Sequence, residues 1–146
     1  MTLLKILKYP NKKLTRNTKK VKQINKKIHK IIHNMFETMY HHNGIGLAAP
    51  QVDIHLKIIV IDIMQQPSQP IALLNPKIIY RYENITTEEE CLSLPGIKKK
   101  ITRFNKIKIN ALNYYGKPIV ITAENLLSIC IQHEMDHLNG KLLIDY

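Results

Sequence analysis

Residues 132–140 read Gln-His-Glu-Met-Asp-His-Leu-Asn-Gly and contain the pattern H-E-x-x-H. On a helix, His133 and His137 lie one turn apart on one face. Their imidazole nitrogens can then bind a single metal ion, with Glu134 beside it as a proton shuttle. In metalloproteases that extend this pattern, the third histidine would fall on Leu143, so a third ligand must lie upstream. The segment therefore predicts a helix that carries two ligands of a metal site.

The residues around this pattern predict where the helix begins and ends. Thr122 can cap a helix from Ala123 to about Leu138, with Glu124 in its first turn and Gly140 just beyond its end. We therefore expect the metal-binding helix to be the C-terminal one.

Few side chains upstream offer a third ligand. The candidates are Cys91, Cys130, His41, His42 and His55. A cysteine and two histidines suit a tetrahedral site with one open position, and thiolate is a good ligand for Zn or Fe(II). Cys91 is the better geometric choice, because a ligand from a separate segment can close a tetrahedron. Cys130 projects one turn further up the same helix and is more typical of a small buried apolar residue.

The segment 43–51, Asn-Gly-Ile-Gly-Leu-Ala-Ala-Pro-Gln, is rich in small residues and follows a strongly periodic stretch. Its glycines allow the backbone to approach a ligand closely, and Gln51 offers an amide donor. It lacks the Lys-Ser/Thr of a phosphate-binding loop.

The periodicity of the apolar residues predicts an α+β fold. Residues 24–40 follow the 3.6-residue period of a long N-terminal helix, ended by Asn43-Gly44. Residues 58–63 indicate a buried strand, and residues 71–82 a second one broken at Asn75-Pro76. Alternation before and after a turn at 115–117 predicts a hairpin. We therefore expect antiparallel sheets packed around the C-terminal metal-binding helix, in a single domain that spans residues 1–146.

Three ordered motifs carry a resemblance to a known family. Residues 44–51 (Gly-Ile-Gly-Leu-Ala-Ala-Pro-Gln), 89–93 (Glu-Glu-Cys-Leu-Ser) and 132–140 resemble the three motifs of peptide deformylase, in their order. The resemblance covers essentially the whole chain. The members of the family that it resembles are the bacterial enzymes of the Gram-negative type. The sequence departs from the family in two ways. Glu90 stands where the family has Gly, and the chain stops at Tyr146, as in a short form that lacks the C-terminal helix.

The resemblance implies a role for twelve side chains or backbone groups. The metal ligands would be Cys91, His133 and His137. The catalytic groups would be Glu134, Gln51 and the backbone N–H of Leu92. The pocket for the substrate methionine would be formed by Ile45, Gly46, Glu89, Leu126, Ile129 and Cys130, beside His133.

The resemblance also implies the reaction and its setting. A divalent metal would lower the pKa of its bound water, and the hydroxide would attack the formyl carbonyl of an N-formylmethionyl nascent peptide, with Glu134 as general acid and base. Fe(II) is the expected metal in cells, although Zn, Ni or Co would suit the same ligands. The expected setting is the bacterial cytoplasm, with transient ribosome contact and no membrane or DNA partner.

Two other functions remain open from the sequence. One is a weakened or non-catalytic relative, supported by Glu90 alone. The other is a ribosome-associated RNA-binding module, supported only by the formal net charge of +11. The lysines are spread along the chain without interleaved aromatic residues, which favours compositional drift as the source of that charge. Because Cys91 and Leu92 must face the reaction, the extended backbone predicts that Glu90 points into solvent.

Overall fold

The computed structural model describes residues 2–63 and 67–146. These residues form two α-helices and five β-strands, together with three short 3-10 turns. All strand pairs are antiparallel, so the predicted α+β class with antiparallel pairing is confirmed. The strands form one continuous sheet in the order β1-β2-β3-β4-β5, rather than the several sheets expected.

Helix α1 spans Lys26–His41. The Asn25 side chain caps it by accepting a hydrogen bond from the backbone N–H of Ile28 at 3.0 Å. At the other end, Asn43 has a φ of 55° and the Gly44 N–H donates to the Met39 carbonyl at 2.9 Å. This left-handed residue followed by glycine stops the helix where the sequence predicted and leads the chain directly into the first strand.

The strands are β1 (Gly46–Ala48), β2 (Ile58–Ile61), β3 (Ile71–Cys91), β4 (Leu94–Leu112) and β5 (Pro118–Glu124). The register of β3 against β4 shifts between Leu74 and Lys77, which is the interruption that Asn75-Pro76 predicted. The turn between β4 and β5 is closed by the Asn113 N–H, which donates to the Lys117 carbonyl at 2.9 Å. Strand β3 is longer than expected and ends on Cys91.

Helix α2 spans Asn125–Leu138, so the prediction that Thr122 caps it was wrong. Thr122 and Ala123 belong to β5 and pair with residues of β4. The apolar alternation that begins at Ile119 continues to the buried Ala123, so pairing with β4 extends the strand. The chain turns into the helix at Asn125, whose φ of 54° is one that asparagine tolerates.

The two helices lie on opposite faces of the sheet at its β1–β2 end. Ile58 and Val60 belong to the apolar cluster that contains Met35 and Met39 of α1. Ile59 and Ile61 belong to a second cluster with Ile131 and Leu138 of α2. Strand β2 is therefore buried on both faces. Within the described residues, no helix is long and apolar enough to cross a membrane.

Candidate active site

The end of β3 and one face of α2 bring three metal-ligand side chains together. One ligand atom from each of Cys91, His133 and His137 lies within 4.8 Å of the others. The Cys91 Sγ is 3.3 Å from the His137 Nε2. These separations suit metal–ligand bonds of about 2.0–2.3 Å in a tetrahedral site. The other sequence candidates lie elsewhere: His41 and His42 are exposed at the end of α1, and the His55 Nε2 contacts the Lys13 carbonyl.

A buried ion pair orients the first histidine. The Glu89 Oε1 is 3.0 Å from the His133 Nδ1, which leaves the Nε2 of that ring available to a metal. Arg103 donates to both oxygens of Glu89 at 2.7 Å. Burial opposes ionisation of Glu89, but the hydrogen bonds from Arg103 and His133 outweigh it and hold the Glu89 pKa below its usual range. A carboxylate therefore faces the back of the ring.

The second histidine is held neutral. Burial and the neighbouring charges of His133 and Arg103 lower the pKa of His137 well below its usual value. Burial also opposes the charged form of His133, but Glu134, Cys91 and Glu89 raise its pKa to about 10. In the absence of a metal ion, His133 is therefore protonated, and the neighbouring acidic groups stabilise its positive charge. Among the described residues, the buried Nδ1 of His137 has no hydrogen-bond partner.

Glu134 lies beside the metal-facing nitrogen of His133 and lines the same cavity as Cys91. Its Oε2 is 4.0 Å from the His133 Nε2. Its Oε1 is buried and has no hydrogen-bond partner in residues 2–63 and 67–146. Burial raises the pKa of Glu134 to about 7, and Glu89 and Asp136 add to the shift against opposition from His133 and Arg103. A carboxyl group with a pKa near neutrality and an unpaired oxygen is suited to accept and return a proton.

Two more of the sequence-predicted groups lie next to the thiol. The Gln51 Nε2 is 3.5 Å from the Cys91 Sγ and 3.1 Å from the Ser93 Oγ. The Gln51 Oε1 accepts from the Ala48 N–H at 2.9 Å, which fixes the direction of the amide. Leu92 follows Cys91 in the turn between β3 and β4. Both Gln51 and Leu92 line the cavity beside the thiol.

This cavity has a volume of about 570 Å³. It is lined by all six residues predicted for the methionine pocket, Ile45, Gly46, Glu89, Leu126, Ile129 and Cys130, and also by Cys91, His133 and Glu134. The Glu89 carboxylate is held by Arg103 and His133, so this residue acts on the site through the histidine. Burial, followed by the charge of Glu134, raises the Cys130 pKa to about 12, so this thiol stays protonated as an apolar wall.

Sequence reasoning missed Arg103. It is 4% exposed, although arginine is seldom buried, and it also donates to Asp136 at 2.7 Å and to the Tyr146 hydroxyl at 3.0 Å. A signal for it existed in the alternation of β4. Ile101 and Ile107 mark the inward-facing positions of this strand, and Arg103 falls in the same series. A charged residue at an inward position predicts a buried ionic partner.

Gly46 makes room for Glu134. A Cβ at residue 46 would lie 2.5 Å from the Glu134 Oε2. We therefore expect Gly46→Ala to displace this carboxylate and to lower kcat by about a hundredfold, the cost of a misplacement of about 1 Å. Metal content, measured by atomic absorption, should not change, since no ligand is touched.

Gly44→Ala is the matched control for this substitution. The nearest atom to its Cβ would be the Leu92 Cδ1, at 3.0 Å, which lies at the end of a flexible side chain that can rotate away, and the Met39 atoms at 3.4 and 3.5 Å are ordinary van der Waals contacts. The kcat of Gly44→Ala should stay within about threefold of the parent value, a change much smaller than the loss expected from misplaced catalytic groups. Equal reductions of kcat in both variants would show that kcat depends on the glycine segment 44–46 as a whole and not on the space that Gly46 leaves for Glu134.

The fold and the site define a class of protein. A Cys-His-His donor set, with a buried carboxyl group beside it at the wall of an open cavity, is the arrangement of a metal-dependent hydrolase.

Comparisons with known proteins identify the family within that class. The family model for polypeptide deformylase matches residues 3–146, so the chain belongs to this family. It is 53% identical over 146 residues to the peptide deformylase of Buchnera aphidicola subsp. Acyrthosiphon pisum (strain Tuc7), covering 100% of this chain and 84% of that protein.

Solved structures agree with this assignment. The peptide deformylase of Legionella pneumophila superposes with a TM-score of 0.95 at 41% identity, covering 99% of this chain and 85% of that one. The Ehrlichia chaffeensis enzyme in complex with actinonin gives a TM-score of 0.96 at 36% identity, over 100% of this chain and 89% of that one. The predicted family is therefore confirmed, and a protein that only binds RNA is not favoured.

Proposed function

We propose that this deformylase removes the formyl group from the amino-terminal methionine of newly made polypeptides, with Cys91, His133 and His137 as the ligands of one divalent metal. One observation carries the proposal. The three donor atoms lie within 4.8 Å of one another, and Cys91, His133 and the catalytic candidate Glu134 line the same cavity. The chain thus unites a metal site, a proton-transfer group and room for a substrate.

The residues present fit a metal ion. The Nε2 of His137 faces the Cys91 sulfur, and the Nε2 of His133 is left open by the bond from its Nδ1 to Glu89. A thiolate, two neutral imidazoles and nearby carboxylates form a donor set that favours a divalent cation. The ion would supply Lewis acidity toward water and toward the formyl carbonyl.

Glu134 would move the proton that the hydrolysis requires. It accepts a proton from the attacking water and passes it to the nitrogen of the breaking C–N bond. The products are formate and a peptide with a free methionine amino group. The raised pKa of about 7 keeps both protonation states of Glu134 accessible at neutral pH.

Two donors would stabilise the negative charge that develops on the formyl oxygen when water adds to the formyl carbon. They are the Gln51 Nε2, whose amide is oriented by the hydrogen bond from the Ala48 N–H, and the backbone N–H of Leu92. A single donor of this kind is typically worth about 3 kcal/mol in the transition state. The apolar part of the cavity, which includes Leu126, Ile129 and Cys130, would receive the methionine side chain.

The metal and the setting are proposed in the same way. Fe(II) is the proposed metal in cells. Zn, Ni or Co would also fit the donor set, since intrinsic affinity alone favours these metals over Fe(II). Transient contact with the ribosome, a cytoplasmic location and a single catalytic domain over residues 1–146 agree with an enzyme that acts on nascent chains.

One assay tests the proposed function. The purified protein, loaded with Fe(II) without oxygen or with Ni, should release formate from a formyl-Met peptide. It should bind one metal ion per chain by elemental analysis. A protein with bound metal and no formate release would refute catalysis, and a protein active without metal would refute the mechanism.

A weakened enzyme is the second candidate, because Glu90 stands where the family has Gly. The predicted exposure of Glu90 is confirmed: its side chain is 66% exposed and lies 3.5 Å from the Lys98 Nζ. We therefore expect Glu90→Gly to raise kcat by less than about tenfold, or 1.4 kcal/mol. Steady-state rates of formate release would show this, and a much larger gain would mean that Glu90 compromises the enzyme.

A further inference from the structure

An aromatic and basic surface lies on the solvent side of the sheet, outside the catalytic cavity. Five residues line a shallow depression there: Tyr80, Tyr82, Lys106, Lys108 and Thr122. We call this surface the tyrosine–lysine face. None of these residues lines the cavity beside Cys91. Cys91 is nine positions beyond Tyr82 on the same strand, a span of roughly 30 Å if the strand were straight.

The two tyrosines form a pair of open aromatic rings. Tyr80 and Tyr82 are 48% and 55% exposed, so neither ring is buried in the apolar core. Their ring planes are within 7° of parallel, and their centroids are 6.4 Å apart. Alternate residues of a strand point to the same face, which explains why both rings stand side by side in solvent.

Strand pairing brings the lysines to these rings. Tyr80 pairs with Lys108 and Tyr82 pairs with Lys106 in the register of β3 and β4, and Lys108 pairs with Thr122 of β5. The lysines are not interleaved with aromatic residues along the sequence, but strand pairing places tyrosines beside them on this face. The interleaving exists across strands, where cross-strand neighbours are about 5 Å apart.

The charge of the surroundings favours an anionic partner. The Lys106 Nζ forms an exposed ion pair with Glu124 at 3.2 Å, and Glu83 accepts a hydrogen bond from Asn105 at 3.1 Å. These carboxylates offset part of the local charge. The chain as a whole has a formal net charge of +11, which favours the approach of anionic partners.

We propose that the tyrosine–lysine face binds single-stranded RNA. Bases stack on the rings of Tyr80 and Tyr82, and Lys106 and Lys108 contact the phosphates. Paired aromatic rings beside basic side chains are the features with which proteins bind single strands without reading sequence. A protein partner fits less well, because lysine is depleted at the cores of protein interfaces. The choice of RNA over DNA rests on the proposed function, which places the enzyme beside translation.

Fluorescence anisotropy with a labelled uridine 12-mer tests the aromatic contribution. The full chain should bind it at low salt, and Tyr80→Ala or Tyr82→Ala should each weaken binding about tenfold. Tyr80→Phe and Tyr82→Phe should keep the affinity, because stacking needs the ring and not the hydroxyl. Tyr115→Ala is the matched control, since Tyr115 is 74% exposed elsewhere on the surface and should change nothing.

A charge-matched pair of variants tests the lysines. Lys106→Gln/Lys108→Gln should lower the slope of log affinity against log salt by about 0.7 for each phosphate that is no longer neutralised. Lys26→Gln/Lys27→Gln removes the same charge at the start of α1 and should leave that slope nearly unchanged. Formate release by all of these variants should match the parent, so a failure of the proposed function would appear separately in that assay.

Several results would overturn the proposal. Absence of binding at low salt would do so, as would equal reductions of the slope in the two lysine pairs or unchanged affinity in both Tyr→Ala variants. Tighter binding of the same DNA sequence would overturn the choice of RNA. Self-association by light scattering that Tyr80→Ala abolishes, or binding to anionic vesicles without RNA binding, would assign the face to a different partner.

Discussion

Replacing Glu134 by alanine should lower kcat for deformylation by about a thousandfold, or 4 kcal/mol, and leave the bound metal in place. The reason is geometric. Glu134 lies 4.0 Å from the His133 Nε2 but is not one of the three converging donors, so its removal takes away proton transfer and keeps the ligands. Single-turnover rates of formate release and elemental analysis of the same preparation would measure both quantities.

Glu88→Ala is the control for this substitution. Glu88 also lines the cavity but is exposed to solvent, so its replacement should change kcat by less than about threefold, as expected for a group with no part in the proton transfer. If Glu134→Ala lost metal together with activity, Glu134 would have a structural role in the site. If it kept most of its rate, the proton would have to travel by another group.

Cys91→Ser should weaken metal binding by more than about a hundredfold, beyond the 10–100-fold typical of removing an outer-sphere partner. Cys91 is the proposed donor from the sheet, and a neutral hydroxyl is a much poorer ligand than a thiolate. Competition with a chromogenic chelator would measure the affinity. Activity should fall with metal content and recover in part at high metal concentration.

Cys130→Ala provides the matched control, because both cysteines are buried and only one is near the histidine nitrogens. Cys130 packs with Ile109, Ala123 and Ile131, and its raised pKa keeps it protonated. Its replacement should therefore cost some stability and leave metal affinity within about threefold, since neither a ligand nor a hydrogen-bond partner of a ligand is removed. The reverse pattern in the two variants would reassign the ligand.

The sequence predicted those parts of the fold and site that depend on local pattern or rare chemistry. Helix α1 and its end at Asn43 follow from apolar periodicity and a left-handed stop signal. The candidate ligands on α2 follow from H-E-x-x-H, and Cys91 was preferred because a ligand from a separate segment can close a tetrahedron. In each case a few neighbouring residues contain the information.

The parts that sequence reasoning missed depend on strand register. The start of α2 moved to Asn125 because β5 continues its pairing with β4 through Ala123. The far half of β3 has mostly exposed polar residues and no apolar period, so its pairing with β4 was not visible. Arg103 reaches Glu89 only in that register, and Tyr82 meets Lys106 for the same reason. Pairing between distant segments decides all of these features.

The division of the three proposed metal donors between β3 and α2 has a consequence for folding. Cys91 and His137 are 46 positions apart in the chain, so an unfolded chain holds them together only rarely. An ion that binds all three donors prefers the native state and acts as a removable cross-link between the sheet and the helix. At a metal concentration of about 1,000 times Kd, this preference adds about 4 kcal/mol to the free energy of unfolding. The supply of metal in the cell would then set the lifetime of the protein as well as its activity, because chains that lose the ion unfold more often and are degraded first.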